Sequence, residues 1–222
     1  MEYEEVMQLL ESLGTEQNRK TYSRHGASPP MFGVSFANLR KLAKKIKVDH
    51  DLAVRLWHSG NMDARTLAAS VADPARLSPE EAEAWVGETT CHGLLDELVF
   101  NTIAKAPYAD KKLQVWIDSP REYVGRAGWL LVAVKAGARW GAAADYPALI
   151  SRIEREIHSS PNRKKEAMNT ALISIGIYQP EWRDLVMAAA ERIGKVVVDH
   201  GDTSCKTPDA RAYITKALAR KS

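Results

Sequence analysis

Apolar residues recur at helical spacing from one end of this chain to the other, in short blocks closed by glycine or proline. Val6, Leu9, Leu10 and Leu13 form the first such stripe, and Gly14 ends it. The same pattern returns with Phe36, Leu39, Leu42, Ala43 and Ile46, and later with Leu149, Ile150, Ile153 and Ile157. No stretch alternates convincingly with the period of two that a half-buried strand requires. A chain patterned in this way can bury its apolar stripes only by packing helix on helix.

Taken in order, the pattern predicts helices over 2–13, 15–24, 35–47, 49–58, 61–72, 79–87, 91–105, 108–118, 121–139, 145–158, 160–175, 180–193 and 207–218. Ser35 and Ser78 stand as N-caps, and Pro79-Glu80-Glu81 places proline and acids in a first turn. Gly26, Pro29, Pro30 and Gly33 break the chain into a loop of about ten residues. Gly128 to Val134 is apolar nearly all round, as in a helix packed between neighbours, with Arg126 and Lys135 as the charged exceptions. Val196-Val197-Val198 and the following Asp199-His200-Gly201-Asp202 read as an extended excursion before the last helix. Helical pairs that return every 35–45 residues point to an all-α chain, an α-solenoid of HEAT or armadillo-like hairpins rather than a globular bundle, forming a single domain over residues 1–222.

The composition limits the partners. With 45% apolar residues and 27% charged ones the chain folds. Its net charge of +3 permits a nucleic-acid partner without requiring one, because the location of the charge decides binding. No apolar run approaches a membrane span, and the acidic start Glu2-Tyr3-Glu4-Glu5 is unlike a secretory leader. Two cysteines, Cys91 and Cys205, build no disulfide framework. A soluble cytoplasmic monomer is expected. No C-x-x-C, H-E-x-x-H, G-x-S-x-G or glycine-rich phosphate loop is present, so neither a metal nor a cofactor is implied.

Two features carry possible chemistry. Lys41, Lys44 and Lys45 lie with Arg40 and Lys47 on one predicted helix, either as a solvated face or as a stripe that neutralises phosphates without reading sequence. Asp96 stands among Leu94, Leu95, Leu98 and Val99, where a carboxylate needs a compensating partner. It is either a structural ion pair, with Arg126 or another helix-face cation, or an anion held in a cleft to stabilise developing positive charge.

Several long motifs add a resemblance. Met31-Phe32-Gly33-Val34-Ser35-Phe36-Ala37-Asn38-Leu39-Arg40-Lys41-Leu42, Leu56-Trp57, Asn61-Met62-Asp63-Ala64-Arg65 and the run from Val198 to Ala210 resemble the bacterial DNA alkylation repair family. The resemblance spans nearly the whole chain. It implies a C-shaped stack with a basic concave face that holds duplex DNA. Glycosylases of this family excise cationic alkylpurines such as 3-methyladenine and 7-methylguanine without flipping the base into a pocket. Asp96 matches their catalytic aspartate, Arg126 their supporting arginine and Tyr22 an early tyrosine. Their two tryptophans fall on His92 and Thr170. The resemblance thus implies that Asp96 stabilises an oxocarbenium-like sugar, that Arg126 fixes backbone or water, and that His92 stacks or bonds a phosphate. Lys41, Lys44, Lys45, Arg65, Arg163, Lys164, Lys165 and Lys206 are the candidates for phosphate contact. Alternatives are a non-catalytic relative that binds distorted or branched DNA, and a protein-binding scaffold.

Overall fold

The computed structural model describes residues 1–137 and 145–220. Among them there are thirteen α-helices, two single 3-10 turns and no strand. The all-α expectation therefore holds, and the helices fall where the apolar stripes and caps place them. Positions 138–139 of the predicted 121–139 helix lie outside the described residues.

The described chain separates into two compact units. The first comprises Met1–Asp110 with Gly201–Thr203, and the second Lys111–His200 with Ser204–Ser222. In the first unit α1 (Tyr3–Leu13), α2 (Glu16–Arg24), α3 (Phe36–Ile46), α4 (His50–His58), α5 (Met62–Val71), α6 (Pro79–Glu88) and α7 (His92–Asn101) follow one another through short connections. Here α5 is the centre, packed against α3, α4 and α7. It can take that place because Ala64, Leu67, Ala68, Ala69 and Val71 are all fully buried small or aliphatic side chains. Trp57 of α4 lies flat on Trp85 of α6, centroids 4.2 Å apart and planes 1° from parallel.

Local chemistry explains the helix ends. Asn61 caps α5 by accepting from Asp63 and Ala64, and Ser78 and Glu81 form a reciprocal capping box on α6. A single helix over 91–105 is expected from the pattern, but α7 stops at Asn101. Thr102 leaves helical geometry at φ −122° and ψ −64°, and residues 103–105 form a 3-10 turn. Thr102 is fully buried, and its hydroxyl donates to the Ala69 carbonyl of α5 at 2.7 Å. That tertiary bond ends the helix.

The second unit contains most of α8 (Ala109–Trp116), then α9 (Glu122–Gly137), α10 (Tyr146–Glu156), α11 (Asn162–Tyr178), α12 (Arg183–Ile193) and α13 (Ala210–Ala219). It is organised on α11, which packs along α9 and also touches α10, α12 and α13. Close approach depends on glycine at two places. A Cβ at Gly128 of α9 would meet the backbone of Ile117 and Trp116 at 2.5 and 2.7 Å, and one at Gly176 of α11 would meet Ile214 and Val186 at 2.6 and 2.9 Å. The segment between α12 and α13 has no regular structure, as expected. It is held at Asp199, whose N–H and C=O both bond the Asn162 side chain at 2.7 Å.

Candidate nucleic-acid interface

In the first unit, α3 presents Lys41, Lys44 and Lys45 to solvent. Ser35 caps its start and Leu39 and Leu42 bury its other face, so the amphipathic period itself aims the lysines outward. A groove of about 450 Å³ runs past Arg40, Lys44 and Lys47 to Glu97 and Asn101 of α7. Arg40 donates to Glu97 at 2.6 Å, and Asn101 holds the other Glu97 oxygen at 2.7 Å. Glu97 is thus the anchor of this groove, while its neighbour Asp96 stands half-buried on the same helix.

Tyr22 and His92 come together. They line a cavity of about 230 Å³ with His25, Phe36, Met62, Cys91 and Gly93. The Tyr22 ring meets Phe36 edge to face at 5.6 Å, and His25 meets His92 in the same manner at 5.6 Å. The Tyr22 hydroxyl donates to the Val34 carbonyl at 2.7 Å. Burial, followed by the charge of Asp63, pushes the Tyr22 phenol above its ordinary range.

Asp63 is a residue whose role the sequence pattern did not reveal. Wholly buried at the start of α5, it accepts from the backbone N–H groups of Phe32, Gly33 and Val34 at 2.6, 3.0 and 2.8 Å. Three donors converge on one carboxylate, which compensates its desolvation. Gly33 can join them because its φ of +81° suits glycine, and a Cβ there would lie 2.5 Å from the Thr15 carbonyl. Asp63 thereby fixes the loop whose Val34 carbonyl holds Tyr22. Arg65, two residues on, bonds the Trp57 carbonyl at 3.0 Å and Glu88 at 2.8 Å, with its guanidinium over the Trp57 ring.

In the second unit Arg126 of α9 is buried, only 4% exposed. It donates to the Arg163 carbonyl at 3.0 Å and to Glu166 at 2.7 Å. Arg163 reaches the same Glu166 oxygen at 3.3 Å, and His200 stands 3.8 Å from the other. Glu166, also missed by sequence reasoning, is the hub of this cluster. Thr170 turns its hydroxyl back to the Glu166 carbonyl at 3.0 Å, as a threonine inside a helix commonly does. Lys164 is buried and donates to the Ser119 carbonyl at 3.0 Å, and burial holds its ammonium below the usual lysine range. Lys165 is half-exposed and Lys206 exposed. Among the described residues no cluster of three potential metal ligands occurs.

Stacked helical hairpins bearing exposed lysines and a half-buried aspartate define an all-α helical-repeat protein of HEAT-like architecture. The model of the family described as DNA alkylation repair enzyme matches residues 6–214. The chain belongs to that family. It is similar to the uncharacterized proteins Lin0241 of Listeria innocua and Lmo0209 of Listeria monocytogenes, at 29% and 28% identity over 218 residues, 95% of each chain. A solved structure superposes with a TM-score of 0.90 and 30% identity, covering 100% of this chain and 95% of the other. That structure is described as "a new family of proteins related to the HEAT-like repeat DNA glycosylases with affinity for branched DNA structures".

Proposed function

We propose that this protein binds branched or distorted DNA through phosphate contacts and does not excise bases. The observation that carries the reading is its likeness, over the full length, to the solved relative described as having affinity for branched DNA. Lys41, Lys44 and Lys45 on α3, with Lys165 and Lys206, are the side chains suited to neutralise phosphates, because they are exposed or half-exposed and make no competing ion pair among the described residues. The candidate catalytic positions support the second half of the proposal. Where the glycosylases of the family carry tryptophans, His92 offers a smaller ring already edge-on to His25, and Thr170 offers a hydroxyl turned into its own helix. Little aromatic surface is then left to stabilise an oxocarbenium ion. The protein acts as a cytoplasmic monomer in this reading.

One observation favours a second reading, release of 3-methyladenine or 7-methylguanine from duplex DNA: Asp96, which the resemblance matches to the family aspartate, is half-buried on α7. The test compares a four-way junction with a linear duplex of equal length, and in parallel measures 7-methylguanine release by the protein and by Asp96→Asn. The expected outcome is at least about ten-fold tighter junction binding and no release by either protein. Equal affinity for the two DNAs would sink the branched-DNA proposal. Release that Asp96→Asn abolishes would establish the second reading instead.

A further inference from the structure

The cavity between α2, α3 and the start of α7 has a use that the phosphate-binding lysines leave unexplained. Its walls are ring and thioether surface from Tyr22, His25, Phe36, Met62 and His92, with Gly93 of α7 completing the lining. Its volume, about 230 Å³, lies below the roughly 300–1,000 Å³ of pockets for drug-sized ligands, so it suits a single small ring system. The walls are set before any ligand arrives. Asp63 fixes the loop, the loop carbonyl of Val34 holds the Tyr22 hydroxyl, and the two edge-to-face pairs hold the rings against each other. Imidazole edges can donate or accept beside an apolar face, which is the combination a heterocyclic base presents. Arg24, in the last turn of α2 and next to His25 in sequence, is exposed and lines the neighbouring groove with Arg19 and Lys20, cations of the kind that hold a phosphate.

We propose that this cavity takes one unpaired nucleobase of a bound branched DNA. The inference rests on the branched-DNA reading and deepens it. It also separates this chain from the excision mode of its family, in which the base is not flipped into a pocket. Binding needs no covalent step. The base leaves the stack at a branch point, where it already lacks a partner, so unstacking is least costly there.

A three-way junction carrying one unpaired base is compared with the same junction carrying an abasic residue at that position. Both are titrated by fluorescence anisotropy with the full-length protein and with Gly93→Leu, which fills the cavity from α7. A Cβ at Gly93 already stands 3.2 Å from Phe36. The wild-type protein is expected to lose roughly ten-fold in affinity when the base is removed, in line with a single base–aromatic stack. Gly93→Leu is expected to bind both junctions equally. His92→Ala serves as the second variant if Gly93→Leu does not fold by circular dichroism, with the base-dependent difference expected to shrink at least three-fold. A wild-type protein that binds the junctions equally tightly would overturn the nucleobase site and leave branched-DNA binding standing. So would a base effect of full size in both variants, which would place the base elsewhere. Failure to bind either junction would overturn both readings together.

Discussion

Substituting Asp63 with alanine withdraws the acceptor from three backbone donors at once. Phe32, Gly33 and Val34 would be left with buried or half-buried N–H groups that no side chain satisfies. Each such group costs about 1–3 kcal/mol, so we expect Asp63→Ala to lower stability by about 3–5 kcal/mol in urea unfolding. Tyr108 presents the opposite case. It is nearly buried, and its hydroxyl finds no hydrogen-bond partner among the described residues. Tyr108→Phe should therefore be neutral or stabilising by up to about 1 kcal/mol. Burial also pushes the Tyr108 phenol far above its ordinary value. The folded state holds that proton more tightly than the unfolded chain, so this contribution to stability is complete below about pH 10 and is lost as the pH rises beyond it. Thermal melts across the alkaline range should show a shallower decline for Tyr108→Phe than for the parent. None of these roles has a sequence signal of its own. A carboxylate two residues past an N-cap reads as an ordinary first-turn acid, and its three partners come from a loop some thirty positions earlier.

At the scale of elements, the exposed face of α3 and the buried lysine of α11 make contrasting predictions. Replacing Lys41, Lys44 and Lys45 together with glutamine should reduce the salt dependence of DNA binding by about 0.9 per lost phosphate contact, read from log K against log salt. Lys164→Met should leave that slope unchanged, because its ammonium is buried on the Ser119 carbonyl. A slope reduced by Lys164→Met would contradict this division of labour. Helix packing gives a further expectation. Gly128→Ala forces α9 away from the backbone of Trp116 and Ile117, and should destabilise by about 2–3 kcal/mol in the same unfolding experiment. The elements themselves were legible because apolar periodicity and caps such as Ser35 and Ser78 act locally. The early end of α7 was not, since it depends on Thr102 meeting the Ala69 carbonyl from another helix. Lysines likewise looked alike in sequence. Only packing separates exposed Lys44 from buried Lys164.

For the whole molecule, a net charge of +3 from 31 basic and 28 acidic residues leaves little long-range attraction for a polyanion. Binding must draw on local groups of cations. Affinity for a junction is accordingly expected to fall steeply with salt, with a slope of about −4 to −6, despite the small total charge. The helical-repeat class was readable from the recurrence of short amphipathic blocks, and the family from long motifs such as that between Val198 and Ala210. The two-unit organisation was not, because it depends on which segments touch and not on composition. Gly201–Thr203 belongs to the first unit although the residues on either side belong to the second, and a Cβ at Gly201 would lie 3.1 Å from the Arg24 carbonyl. During synthesis the chain emerges from its N-terminus, and domains generally fold as they appear. The amino-terminal unit of this protein is the exception, since its last piece, Gly201–Thr203, is made only after Lys111–His200 of the second unit, so that the first unit must wait for most of the second before it is complete.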